Sequence, residues 1–463
     1  MNDFLTDEHN NIEGTWFLQD NQARKVSGTL KYNDNSYALD LTGSLTSSNG
    51  GISSPNIVPS IWGETEEGQK ITLFDCEIDD FHTIANIMNG KHREILNIGT
   101  VLFGAHIKDV DTLDFASCRI SVENLQTWLS IPKNNAPGNP DFPIENDSNE
   151  VTIQGRKCKV TSITDGSVAF FPEENFSFQD AFIFTNFIRD LVTLARYRGN
   201  CRLMSLKLRL PEYGNKDNFE IGVWHEKIID KNLSDKNSNE LRFLFTCKDI
   251  TFNEIIKNWS NLYEKAEVAI SILLSTLYET PYLESGIATV STAVEALHKA
   301  LDIKEDKPHN ETEFEEFKES LLQNLDEKWE KEEWIETINA MHNNPNFRTR
   351  LKRIPELLDK NIRKELIPKH KKWYSNTVYA RNKIVHEGHP PNMSIQKLEA
   401  IFIVTHSLLV TVILGKLKIP TSRIQDAIRN NSRMISAVSQ TAIFKNKKIK
   451  NPIVMLPADS TNN

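Results

Sequence analysis

The sequence predicts an α+β multidomain chain: a β-rich N-terminal half followed by an all-α helical bundle. Three observations predict it. Up to about residue 250, short alternating apolar and polar runs are separated by Gly, Asn and Asp, the period-2 pattern of half-buried strands. Beyond it, apolar residues recur every three or four positions over long stretches, as on amphipathic helices. The chain has 463 residues, room for two to four domains at roughly 100–200 residues each.

In the first half, runs 27–32, 36–41, 71–78, 101–110 and 202–210 read as strands, with Asn33-Asp34-Asn35-Ser36 as a hairpin turn between the first two. One helix is expected over 177–197, where Phe182, Phe184, Phe187, Ile188, Leu191 and Leu194 keep helical spacing. Residues 132–150 are rich in Pro and Asn and read as a linker or long loop. This divides the half into a β-rich domain, 1–131, and a second β-rich portion with one helix, 151–250, which can form one composite module.

The second half opens with Thr251-Phe252-Asn253-Glu254, a capping box in which hydroxyl and carboxylate satisfy orphan backbone groups. Phe252, Ile255, Ile256, Trp259, Tyr263, Ala266, Ile270, Leu273 and Leu277 then mark one face of a long helix. Pro281, as a first-turn proline, starts a second helix running to about 300. Further helices are expected over 312–340, 348–360 and from Pro368 to a stop at Gly388-His389-Pro390-Pro391. A sixth starts at Ser394 with Ile395, Leu398, Phe402, Thr405, Leu409 and Val412 on one stripe. Residues 251–430 make the bundle and 431–463 a basic C-terminal tail.

Composition excludes several classes. With 23 Phe, 8 Trp and 9 Tyr the chain is not of disordered type. Five scattered Cys give neither a disulfide framework nor a C-x-x-C knuckle. The irregular spacing of Cys76, His82, His92, His106 and Cys118 does not make a zinc set, and His386-Glu387-Gly388-His389 is not H-E-x-x-H. There is no P-loop and no G-x-G-x-x-G, so no metal or cofactor is expected. The N-terminus lacks a signal-peptide pattern, and the apolar stretch 398–414 is broken by Glu399, His406 and Ser407. A cytoplasmic protein without a membrane partner is expected.

The chemistry concentrates at Tyr379-Ala380-Arg381-Asn382-Lys383-Ile384-Val385-His386-Glu387-Gly388. Arg381 lies on an apolar face with Thr377, Val378, Ile384 and Val385. On an ideal helix the five-residue step to His386 rotates about 140°, so the two flank one edge without stacking. A histidine can move the 2′-hydroxyl proton of RNA or protonate a leaving 5′-oxygen. An arginine offers a fork of donors to the phosphorane oxygens. Asn382 can orient the imidazole. One histidine does not easily serve both sides of a phosphate, which points to two copies across a two-fold axis, a homodimer or higher homo-oligomer. The bland alternative is a helix-end histidine and an arginine paired with a buried acid such as Glu295.

Charge supports an RNA partner. The whole chain carries −9, yet residues 301–340 hold 14 acidic and 5 basic residues while 341–390 hold 12 basic and 4 acidic. Within the basic band Arg350, Arg353, Lys371 and Lys372 are candidate phosphate contacts. Trp373, with Tyr374 beside it, is a candidate base platform, the alternative being a core residue.

Arg381 through Gly388 resembles the R-x4-6-H motif of HEPN ribonucleases, and Ala293-Val294-Glu295-Ala296-Leu297 resembles the Glu-bearing helix of that fold. Gly14-Thr15-Trp16-Phe17-Leu18 and the β-rich half after it resemble the N-terminal domain of ApeA-type anti-phage proteins. The resemblance implies a metal-independent endoribonuclease with Arg381 and His386 catalytic, Asn382 assisting, and Glu295 and Lys383 supporting. It implies abortive infection: host RNA, tRNA among the candidates, is cut when the N-terminal half senses a phage component. The alternative is a non-catalytic HEPN module that dimerises or binds RNA, fused to a ligand-binding β domain.

Overall fold

The computed structural model describes residues 11–33, 36–45, 57–79, 93–131, 145–199, 201–211, 220–225, 243–301, 309–326, 332–368, 370–389 and 391–445. The chain divides into two compact units, Met1–Glu264 and Lys265–Asn463.

The first unit begins with β1 (Asn11–Leu18), β2 (Asn21–Asn33), β3 (Ser36–Leu41), β4 (Ile57–Thr65), β5 (Lys70–Ile78) and β6 (Glu94–Phe103). They bond in the order β3-β2-β1-β4-β5-β6, and β3 also pairs with β6, Leu39 opposite Leu96. The six strands therefore close into a barrel, which removes the exposed edges that invite aggregation. Leu30, Leu39, Ile61, Ile71, Leu73, Leu96 and Val101 fill its core. Trp16 joins them, donating from Nε1 to Gly28 O at 3.0 Å. Gly63 makes room for it: a Cβ there would lie 2.3 Å from the indole.

The sheet continues beyond the barrel. Next in the chain come β7 (Asp114–Phe115), β8 (Ser117–Val122), α1 (Leu125–Trp128), β9 (Glu145–Ile153), β10 (Arg156–Ile163), β11 (Val168–Pro172) and β12 (Phe176–Ser177). They are followed by α2 (Asp180–Arg196), β13 (Leu203–Arg209) and β14 (Ile221–His225). From β6 the strand order runs β14-β13-β8-β11-β10-β9. The expected boundary at 132–150 thus does not separate two sheets, because β14 from the later segment pairs directly with β6 from the earlier one. The helix expected over 177–197 is α2, which buries Phe184, Phe187, Ile188, Leu191 and Leu194, with Phe184 stacked on Phe170. The strand expected over 101–110 ends at Phe103, where Gly104 turns the chain with φ 109°. Residues 34–35 of the expected hairpin turn lie outside the described residues, and Asn33 pairs with Ser36 on either side of them. The outer strand β9 is capped by the start of α3 (Phe252–Tyr278): Asn149 Nδ2 donates to Asn253 O and the Ser260 hydroxyl to Thr152 O. Half of the expected capping box forms: the Thr251 hydroxyl accepts from Glu254 N, while Glu254 Oε2 accepts from that hydroxyl instead of from a backbone N–H.

The second unit is helical: α4 (Leu283–Ala300), α5 (Glu311–Gln323), α6 (Glu332–Asn339), α7 (Phe347–Arg353), α8 (Lys360–Leu366), α9 (His370–Arg381), α10 (Ile395–Lys416), α11 (Thr421–Asn430) and α12 (Ser432–Gln440). The helix expected over 312–340 is two, α5 and α6. The one expected over 348–360 ends at Arg353 in a 3₁₀ turn, Ile354–Leu357, where Pro355 supplies no backbone donor. The tail expected from 431 begins later, because α12 and a 3₁₀ turn, Thr441–Lys445, bury Met434, Ala437 and Phe444. Residues 446–463 lie outside the described residues. Ser394 caps α10, accepting from Lys397 N. This helix is long and apolar enough to cross a membrane by composition, but 78% of its apolar window is buried inside the protein, so here it is a core helix. His406 on α10 is buried and bonded through Nε2 to Leu273 O at 3.2 Å.

All five thiols are free, and burial raises each of them, Cys158 and Cys247 to about 12. They are protonated and poor nucleophiles at neutral pH.

Candidate functional site

The site grows from the end of α9. Trp373, Thr377 and Ala380 are its buried stripe, and the Thr377 hydroxyl bonds back to Trp373 O. After Arg381 the helix widens into a π turn, Asn382–His386, with Glu387 N donating to Asn382 O. Gly388, with φ 64°, takes the left-handed conformation that ends it.

This turn corrects the expected geometry. An ideal helix would leave Arg381 and His386 about 140° apart. A π turn spends an extra residue per turn, so five residues come close to a full revolution and the side chains stand together. Arg381 Nη1 contacts His386 Nε2 directly. Arginine has only donors, so Nε2 is the acceptor nitrogen of the imidazole in this arrangement.

Arg381 is held from the other sides as well. Its Nη2 lies 3.3 Å from Glu295 Oε2 on α4. Its guanidinium carbon sits 5.1 Å from the centre of the Phe347 ring, the first residue of α7. Nη1 also lies 3.4 Å from Asn382 Oδ1. The Arg381 side chain keeps only 15% of its surface exposed, whereas Asn382 and His386 are exposed. A fixed cation, an accessible imidazole and an amide thus meet at one surface point.

The other expected residues separate. Lys383 is bound to Glu387, which raises its pKa chiefly through that hydrogen bond, so it serves the turn. Arg350 is half-buried and donates from Nε to Pro345 O at 2.9 Å. Arg353 is half-buried at the end of α7, while Lys371 and Lys372 are exposed. Trp373 is not a base platform: it is fully buried, with Nε1 donating to Thr405 Oγ1 at 3.1 Å. Its neighbour Tyr374 has the accessible ring, with Lys352 Nζ 5.1 Å from the ring centre. Phe347 was missed by sequence reasoning, since no local signal ties it to Arg381, 34 positions later. Among the described residues no group of three His, Cys, Asp or Glu has metal-binding geometry; His82 and His92 lie outside them.

No curated protein and no solved structure matches the chain. Two family models do. Residues 11–259 match ApeA N-terminal domain 1, and residues 289–423 match Apea-like HEPN. The first covers over half of the chain and holds the barrel and its extended sheet. The second contains Glu295, Phe347, Arg381, Asn382 and His386. This pairing of an ApeA N-terminal domain with a HEPN domain, in an architecture that suggests an anti-phage defence nuclease family, establishes that the chain belongs to the ApeA family.

Proposed function

We propose that the protein is a metal-independent endoribonuclease of the HEPN type acting in anti-phage abortive infection. The observation that carries this reading is the direct contact of Arg381 and His386 across the π turn, with Arg381 braced by Glu295 and Phe347. In the reaction the imidazole takes the 2′-hydroxyl proton through Nε2, and that oxygen attacks the adjacent phosphorus. The Arg381 guanidinium then turns its donors to the equatorial oxygens of the phosphorane. Asn382 holds a phosphate oxygen or the ring. The products are a 2′,3′-cyclic phosphate and a 5′-hydroxyl. A second copy supplies the histidine that protonates the leaving oxygen, so the working unit is a homodimer or a higher assembly. The β-rich unit is the sensor for a phage component, with a phage protein as the activating ligand, and host RNA is the substrate.

The test compares the purified parent with Arg381→Ala and His386→Ala in the presence of the phage trigger. Each variant should lose at least about 100-fold in cleavage, the contribution typical of a general acid–base group. Variants that cut as well as the parent would remove the nuclease assignment and leave the non-catalytic RNA-binding module.

A further inference from the structure

We propose that the flank where α7 meets α9 is the substrate track of this nuclease. It holds single-stranded RNA beside the scissile phosphate, its phosphates on Arg348, Lys352 and Lys371 and one base on Tyr374. The proposal rests on the ribonuclease reading above.

Two contacts fix how the helices lie. Phe347, at the start of α7, is under Arg381 at the end of α9, and Lys352, near the end of α7, is over Tyr374 near the start of α9. The helices are therefore antiparallel; on α7 Phe347 is on the buried side under Arg381, and Lys352, about 140° round from it, marks the exposed flank beside Tyr374. On α9, Tyr374 and Arg381 are seven residues apart, which is about 20° around the axis and about 10 Å along it. Lys371 stands three residues before Tyr374 on the same flank. Lys372 stands nine residues before Arg381, which places it on the opposite side of the helix. On α7, Arg348 and Lys352 are i, i+4 and share the flank. Arg350 is directed elsewhere, to Pro345 O.

The result is a line of cations and one aromatic ring ending at the Arg381–His386 pair. Arg348, Lys352 and Lys371 are exposed. Among the described residues none of the three is in an ion pair with a carboxylate, whereas Lys383 and Arg429 are. Tyr374 is half-buried, and its contact with Lys352 orients the ring. A base reaches such a ring only when unstacked from its neighbours, so the fitting ligand is a single-stranded loop or end rather than a duplex.

The full-length His386→Ala protein, which should bind RNA without cutting it, is titrated with a fluorescent single-stranded oligoribonucleotide at several salt concentrations. Adding Arg348→Glu and Lys352→Glu together should weaken binding at least about tenfold. It should also flatten the slope of log affinity against log salt by about 1.4, the share of two phosphate contacts on a single strand. Tyr374→Ala should weaken binding about tenfold with little change in slope, and Tyr374→Phe should recover most of that loss. Lys416→Glu, at the far end of α10, makes the same kind of charge change away from the track and should bind as the His386→Ala parent does. Unchanged affinity and slope in the double variant would overturn the track, and so would an equal loss in Lys416→Glu. If the intact protein never cleaves RNA but the double variant still loses binding, the track stands and only the catalytic reading falls. If the His386→Ala protein binds no RNA at all, both fall.

Discussion

Arg381 is braced on three sides, by a carboxylate, an aromatic face and an imidazole. The sequence already named Arg381, His386, Asn382 and Glu295, because those residue types suit phosphodiester cleavage and the motif resembles a known one. It did not name Phe347, and it left Trp373 open between a core residue and a base platform; burial makes it a core residue. Apolar side chains carry no signature separating a platform from a core residue; only their neighbours do. Glu295→Gln should lower kcat about tenfold with the melting temperature little changed, since a charge-assisted hydrogen bond is worth about 1.5–3 kcal/mol and this carboxylate is 32% exposed. Phe347→Leu keeps the apolar volume but removes the ring face, worth about 0.5–2 kcal/mol to the cation. It should reduce kcat by a smaller factor than Glu295→Gln. Single-turnover cleavage checks both. Trp373→Phe should instead cost about 1–3 kcal/mol of stability through the stranded Thr405 hydroxyl, with RNA affinity unchanged. Calorimetry alongside binding would expose a base-stacking role if affinity fell instead.

At the level of elements, most helices and strands were legible because their apolar periods are long and their caps explicit, as at Thr251 and Ser394. The π turn was not. An α turn and a π turn differ by one residue per turn, and local propensity hardly distinguishes them. Here the widened turn coincides with the tertiary ties of Arg381 to Glu295 and Phe347. Gly388 provides a test of the element as a whole. Its φ of 64° leaves the end of the turn in a conformation that an L side chain adopts at a cost of about 1–2 kcal/mol, although a Cβ would meet nothing within 4 Å. Gly388→Ala should therefore lower stability by about 1 kcal/mol and reduce cleavage, by loosening the turn that brings His386 to Arg381. Equal cleavage by this variant and the parent would show that the turn does not depend on its terminating residue.

For the whole molecule, acid stability is set in part by His406. Burial, and then the nearby Arg433, lower its pKa from 6.5 to about 3. The folded protein keeps this ring neutral while the unfolded chain protonates near 6.5. Its stabilising share is complete above that pH and declines as pH falls from 6.5 toward 3. Between pH 7 and pH 5 the loss is about 2 kcal/mol, at about 1.4 kcal/mol per pH unit below 6.5. Denaturant titrations should show this slope in the parent and a flatter one in His406→Gln. The proposed composite dimer site makes a second prediction at this scale. Excess His386→Ala protein mixed into the parent should depress cleavage more steeply than simple dilution, whereas independent monomers would follow dilution. Residue type, spacing and period alone gave the order of a β-rich half and a helical half, the family resemblance, the candidate pair Arg381 and His386, and the segregation of charge. Only the tertiary structure decided that the strands close a barrel and then run on as one sheet. It also decided that Arg381 and His386 touch, whereas the burial of the apolar helix Ile395–Lys416 agrees with the sequence reading of a broken, non-spanning stretch. The barrel and the contact depend on which distant residues come to lie beside one another, and contacts between distant residues leave no period in the chain.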